Sequence, residues 1–264
     1  MRLNISYSTE YGYDEPVKYG LQRLRLTPST RTGQAVIDWR TELEGATEEV
    51  SYRDHFNNPV TLISAEPGTH AVSITASGEV ETENLHGVVG THSNLAPLWL
   101  FQRETDLTTK TRAIAAMTRE LTEEEDVPRM HQLMALIAER VEYGSGATDV
   151  TTTADQALAA GRGVCQDHTH IFLTAARALG YPARYVSGFL MMDGQTHQAA
   201  SHAWPEVYLD QLGWVGYDVS NGISPDDRYV CLATGLDYRD AAPISGIRHG
   251  FSSETLAVQV IVEQ

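Results

Sequence analysis

A cysteine, a histidine and a carboxylate, in that order along the chain, carry the chemistry this sequence is equipped for. Cys165 follows Gly161-Arg162-Gly163-Val164 and opens an apolar run that reaches Leu179, stops at Gly180 and is followed by Pro182. That is the pattern of a helix with a glycine stop. At the first turn of such a helix a thiol meets unpaired backbone N–H groups and the positive end of the helix dipole, and both favour the nucleophilic thiolate. The same pattern also suits a buried, unreactive cysteine, so this stretch alone leaves both readings open.

Catalysis by a cysteine needs a base within hydrogen-bond reach and a third group that orients the base. His202 stands thirty-seven positions after Cys165, in Ser201-His202-Ala203-Trp204-Pro205-Glu206-Val207-Tyr208, at the start of an expected strand. Asp218 comes sixteen positions later and closes Gly213-Trp214-Val215-Gly216-Tyr217-Asp218. If these strands pair through a hairpin at 210–213, His202 and Asp218 fall at the same end of the ladder. There the carboxylate accepts from one ring nitrogen while the other faces the thiol. Singly, each residue has a plainer role, as a surface or core histidine and as an aspartate opening an Asx turn. Jointly, with the cysteine behind two glycines, they point to a triad.

The elements that must position these residues follow from the hydrophobic period. Over 1–82, Leu3, Ile5 and Tyr7 alternate with Arg2, Asn4 and Ser6, and similar alternation recurs around Leu24, Ile37, Val50, Val60, His70 and Glu79. About seven short strands separated by turns such as Asn57-Asn58-Pro59 predict an antiparallel β-sandwich over 1–85. Residues 86–108 lack a period and read as a linker, although Leu98-Trp99-Leu100-Phe101 is apolar enough to pack on a neighbour. From Thr109 the period turns helical: Val127, Met130, Leu133, Met134, Ile137 and Val141 line one face, a core stripe. Thr153-Ala154-Asp155-Gln156 is a capping box that opens a helix over 154–160. Strands return at 183–190, 202–209, 214–218, 230–233 and 256–262. The expectation is an α+β unit over 109–264, its cysteine helix packed on an antiparallel sheet that 256–262 completes.

Composition limits the partners. The net charge of −16 repels polyanions, which argues against nucleic acid and anionic membrane surfaces. No apolar run has the length of a membrane span or a signal-peptide core. Two cysteines, Cys165 and Cys231, exclude a disulfide framework and a cysteine-rich zinc site, and a reduced, cytoplasmic setting is the default. His168 and His170 diverge on a helix, so no metal site is expected of them, and no cofactor is expected. Asp167 in the first helical turn suits the dipole. Cys231, inside a strand, reads as an inert buried thiol. Oligomeric state is not encoded in any pattern found.

The blocks Gly161-Arg162-Gly163-Val164-Cys165-Gln166-Asp167, 201–208 and 213–218, in this order, resemble those of the transglutaminase-like superfamily, specifically the bacterial cysteine-protease-like branch. The turn Tyr52-Arg53-Asp54-His55-Phe56-Asn57-Asn58 is similar to one in that branch's N-terminal β domain, and the tail 235–246 resembles its end. One departure is Val219-Ser220-Asn221, where the family often has Pro-Thr-Asn. The resemblance implies a transglutaminase/papain-like fold. It makes Cys165 the nucleophile, His202 general base and then acid, and Asp218 the group that orients His202. The implied reaction is acyl transfer on a peptide or protein amide through a thioester, resolved by water or an amine. The Cys165 backbone N–H is the natural first oxyanion donor; Gln166 and Tyr143 are candidates for a second, and Trp204 for a pocket wall. A peptide-binding module without turnover is the competing class. An arylamine N-acetyltransferase-like enzyme fits less well, because its cysteine lies much nearer the N-terminus.

Overall fold

Alternating apolar and polar residues make strands because side chains two apart share a face. The computed structural model describes residues 1–92, 95–192, 194–249 and 254–264. Six strands come first: β1 Arg2–Tyr13, β2 Tyr19–Leu24, β3 Gln34–Glu44, β4 Ala46–Arg53, β5 Pro59–Ala65 and β6 Ala71–Thr82. The expected seven become six because the runs at 70–76 and 79–82 are one strand through Gly78. A side chain there would come within 2.1 Å of the Asp38 carbonyl oxygen, so glycine is what lets β3 and β6 close.

After β7 (Val88–Gly90) come a 3-10 turn, α1 (Arg112–Thr118), α2 (Asp126–Arg140), β8 (Glu142–Tyr143), α3 (Ala154–Ala160), β9 (Arg162–Gly163) and α4 (Cys165–Ala178). The remaining elements are β10 (Ala183–Leu190), β11 (His197–Gln198), β12 (His202–Leu209), β13 (Gly213–Gly216), β14 (Tyr229–Gly235), α5 (Tyr238–Ala241), β15 (Ile244–His249) and β16 (Glu254–Glu263). The capping box at α3 forms as expected: the Thr153 hydroxyl accepts from the Gln156 N–H, and the Gln156 side chain accepts from the Thr153 N–H at 2.9 Å. Beyond α4, Gly180 takes the left-handed conformation that its place after the helix predicts.

The central sheet is antiparallel, in the order β14-β10-β12-β13-β7. One face carries the helices, in a core that joins Met130, Leu133 and Ile137 of α2 to Phe172 of α4 and Val207 of β12. The other face, through Phe189, Val230 and Leu232, shares a core with the N-terminal sheets. Covered on both sides, β10 is buried along its whole length. Those N-terminal sheets run β11-β16-β1-β6-β3 and β15-β2-β5-β4, and they form the sandwich.

Two stretches sit elsewhere than expected. The stretch at 86–108, read as a linker, supplies β7, whose Gly90 pairs with Trp214 of β13. The strand at 256–262, expected to complete the central sheet, is β16 and pairs with β1 from Asn4↔Glu263 to Tyr13↔Glu254; β15 pairs with β2. Alternation identifies a strand and its apolar face but not the sheet that receives it. Here Val260 and Val262 bury beside Ile5 and Tyr7 in the sandwich core.

Side-chain amides close the β14 edge of the central sheet. Gln34 accepts from the Cys231 N–H at 2.8 Å and donates to the Cys231 carbonyl at 3.0 Å. Asn58 does the same at Thr234, at 2.8 Å in each direction. Each amide imitates the next strand of a ladder, so the exposed groups of β14 are satisfied from the sandwich. Among the described residues no helix is long and apolar enough to cross a membrane.

Candidate active site

Cys165 is the first residue of α4, partly exposed and unpaired with the other cysteine. Its approach is set by Asp167, whose Oδ2 accepts from the Val164 N–H at 2.8 Å and from the Thr148 hydroxyl at 2.6 Å. Gly163 makes room for that carboxylate: a Cβ there would lie 2.7 Å from the Asp167 Cβ. A short parallel pairing of β8 with β9 runs alongside, with the Glu142 N–H bonded to Gly161 O and the Gly144 N–H to Gly163 O. The cysteine therefore leaves a pinned loop and enters the helix with first-turn N–H groups that have no intrahelical acceptor.

His202 and Asp218 meet as the hairpin predicts, although Asp218 lies beyond its strand. The ladder ends at Glu206↔Gly216, and Asp218 sits in its own turn, bridged to Ile223. The buried His202 ring donates from Nε2 to Asp218 Oδ2 at 2.6 Å and is hydrogen-bonded to the Cys165 side chain. Nδ1 is the nitrogen left for the sulfur. Burial alone would lower the His202 pKa, but the bonds to Asp218 and Cys165 prevail and push it up to about 10.

Asp218 is fully buried yet held below the usual carboxylate range. Burial opposes this, and donors outweigh it: His202, the Asn221 side chain at 2.7 Å and the Tyr229 hydroxyl at 2.7 Å all reach Oδ2. Tyr229 was missed in the sequence, since nothing local distinguishes a tyrosine that opens a strand eleven positions later. The departure at Val219-Ser220-Asn221 resolves into two uses. Val219 joins the helix-side core, and Ser220 bonds His168 Nδ1 at 2.9 Å.

His168 was set aside in the sequence as a metal ligand, and its real partners are two carbonyl-and-hydroxyl contacts. Nε2 lies 2.9 Å from Val141 O, an acceptor only, so Nε2 carries the proton and Nδ1 accepts from Ser220. Burial lowers its pKa and keeps the ring neutral. One helix thus bears Cys165 and, a turn later, a histidine that holds the Asp218 turn. His170 is fully buried and accepts from the Tyr238 N–H at 3.2 Å.

The other expected residues divide. Tyr143 stands half-exposed on β8 opposite Gly163; burial, with the charges of Cys165 and Asp218, raises its pKa and keeps the hydroxyl a donor. Gln166 is partly buried at the second position of α4. Trp204 is buried and stacked beside His202, ring centroids 6.2 Å apart, and is edge-on to Tyr229; it is a wall behind the imidazole. Asp237 caps α5 and Arg239 pairs with Asp106 on the surface. Cys231, expected as an inert buried thiol, is exposed only in part, burial pushes its thiol up, and Arg31 Nη1 donates to its sulfur at 2.8 Å.

A cysteine at a helix N-terminus, facing a histidine and an aspartate on an antiparallel sheet, defines a transglutaminase-type fold behind a β-sandwich. Residues 112–219 match the transglutaminase-like superfamily core, and residues 3–81 match the bacterial transglutaminase-like N-terminal region. An uncharacterized protein of Mycobacterium leprae is 32% identical over 98% of this chain and 97% of its own length. One of Mycobacterium tuberculosis is 27% identical over 99% and 92%. A Cytophaga hutchinsonii crystal structure described as a "putative cysteine protease" superposes with a TM-score of 0.79, covering 100% of this chain and 91% of that one, and at 21% identity it shows the fold. The chain belongs to the transglutaminase-like superfamily, which supports acyl transfer or proteolysis as the general class of activity.

Proposed function

We propose that this protein acts on peptide or protein amides by thiol-dependent acyl transfer, with hydrolysis or transamidation as the outcome. The observation that carries the reading is the hydrogen-bonded series from Cys165 through His202 to Asp218. His202 takes the thiol proton, and the Cys165 sulfur attacks the amide carbonyl. The oxyanion is met by the free N–H groups at the start of α4, each such donor worth on the order of 3 kcal/mol, with the Tyr143 hydroxyl as the supporting side-chain donor. Collapse breaks the C–N bond, the leaving amine takes the proton from His202, and a thioester remains on Cys165. Water or an amine, deprotonated by His202, then attacks the thioester carbonyl; the thiolate departs and the imidazolium is restored. Asp218 keeps the ring in the tautomer this cycle needs. The cytoplasmic setting inferred from two unpaired cysteines is part of the proposal.

The test is selective alkylation followed by acyl trapping. Iodoacetamide at near-neutral pH is expected to label Cys165 well before Cys231, and a peptide-and-amine library should leave an acyl group on Cys165 readable by mass. Equal, slow labelling of both thiols, with no acyl adduct, overturns the reading.

A further inference from the structure

Arg31, between β2 and β3, reaches from the sandwich to the central sheet. Its Nη1 donates to Cys231 Sγ at 2.8 Å and its Nη2 to Glu206 Oε1 at 3.1 Å. Glu206 is gripped again from β10 by Arg184, whose Nε lies 2.7 Å from Oε2. Arg184 is fixed in turn over the Trp214 ring, 4.1 Å from its centroid. The side chains of Arg184 and Glu206 are 6% and 2% exposed. Two guanidiniums therefore share one carboxylate. Burial pushes the Cys231 thiol up, so the thiol supplies no negative charge at neutral pH. Among the described residues the cluster thus holds one more positive charge than negative, and Arg31, whose side chain is 20% exposed, carries it to the surface.

That excess opens onto a cleft enclosing about 900 Å³, its solvent mouth included. Thr30, Arg31, Asn57, Thr91, Arg184 and Thr234 contribute hydroxyl, amide and guanidinium groups to its walls. Among the described residues no carboxylate lines it, in a chain whose net charge is −16. A second cleft on the other side of Arg31 carries Glu83, Glu206 and Asp226, so the positive field escapes through the first. Cys165, His202 and Asp218 line neither. Guanidiniums flanked by hydroxyl and amide donors are the groups proteins use to hold phosphoryl and carboxylate oxygens.

We propose that this cleft binds a small multivalent oxyanion, bearing phosphoryl or carboxylate groups, which completes the Arg31–Glu206–Arg184 cluster and clamps the sandwich to the central sheet. Its walls come from both: Thr30, Arg31 and Asn57 from the sandwich side, Arg184 and Thr234 from the central sheet. Glu206 lies on β12 four residues from His202, on the same face of the strand, with Trp204 between them. Occupancy of the cleft thus stiffens the strand that presents the imidazole.

Cys231 lies in the cleft wall and serves as reporter. In the full-length Cys165→Ala protein it is the sole thiol, and its alkylation by the neutral reagent iodoacetamide is followed by mass. Inorganic phosphate and malonate form the two arms, with sodium chloride of equal ionic strength as control. At ten times its dissociation constant the bound anion is expected to cut the Cys231 rate to about one tenth. The more effective arm identifies the oxyanion class, and sodium chloride should give no protection. Adding Arg31→Gln should abolish the effect. If that protein does not fold, Thr91→Val, which removes a wall hydroxyl outside the Glu206 network, should weaken protection instead. Absence of protection in both arms, equal protection by sodium chloride, or protection unchanged in the variant that folds overturns the proposal. None of these readings depends on the acyl-transfer chemistry.

Discussion

Replacing Asp218 with asparagine isolates the charge of the triad from its shape. Asp218 Oδ2 accepts from three donors, His202 Nε2, Asn221 Nδ2 and the Tyr229 hydroxyl, while Oδ1, among the described residues, accepts only from the Asn221 N–H at 3.3 Å. An asparagine that turns its oxygen toward the three donors keeps their bonds. Its NH2 group then faces the Asn221 N–H, so one weak contact becomes donor against donor. The fold is therefore preserved and the negative charge is gone. His202 stands at about 10 against an ordinary 6.5, an elevation of roughly 5 kcal/mol at about 1.4 kcal/mol per unit, shared between Asp218 and Cys165. Losing half to all of it slows acyl transfer by roughly 10² to several times 10³. The assay that needs no substrate is alkylation of Cys165, resolved from Cys231 by peptide mass across pH 5.5–11. Asp218→Asn should lag the parent by about 10² near pH 6.5, and the two rates should converge above about pH 10, where a thiol ionises unaided. Stability follows the same sign. A histidine whose folded pKa is raised stabilises fully below about 6.5 and loses that contribution as pH rises through about 10. The variant's deficit in melting temperature should accordingly be larger at pH 6 than at pH 10.5. Equal alkylation rates at pH 6.5 would refute the triad.

Three further substitutions probe the supports. Ser220→Ala leaves the buried His168 Nδ1 without its donor and frees the Asp218 turn; a stability loss of about 1–2 kcal/mol in urea, with a several-fold drop in Cys165 acylation, is expected. Gly163→Ala drives a methyl group against Asp167 and away from the geometry that caps α4. Thermal unfolding should fall by roughly 5 °C, at about 2–4 °C per kcal/mol for a chain of this size. Asn58→Ala strips the Thr234 N–H and carbonyl of their partners at a buried edge, costing on the order of 2–4 kcal/mol by denaturant titration.

What could be read from the chain was local. The glycine after α4, the capping box of α3 and the hairpin of β12 with β13 are each set by a few neighbouring residues, and each forms where its pattern placed it, β13 ending two residues short of Asp218. The hairpin brings His202 to Asp218, and the packing of α4 on β12 brings Cys165 to the pair. What escaped depends on distance along the chain. The Tyr229 hydroxyl and the His168–Ser220 bond join segments whose own patterns are satisfied without them. The same holds for β7, in a stretch that shows no period, and for β16, whose alternation is clear although two sheets offer it an apolar face and an open edge. Only the three-dimensional arrangement decides between them. Asn58 reads as part of a turn and Gln34 as the polar face of a strand, because nothing in the sequence shows the edge their carboxamides cover.

The pairing of β1 with β16 also bears on how such a chain is made and remade. β1 lies between β6 and β16, so during synthesis its outer edge stays unpaired until Glu263 has left the ribosome. An open edge of this kind is an aggregation hazard for the nascent protein. The same antiparallel register sets Asn4 opposite Glu263, so the sandwich closes only after every strand of the central sheet has been made.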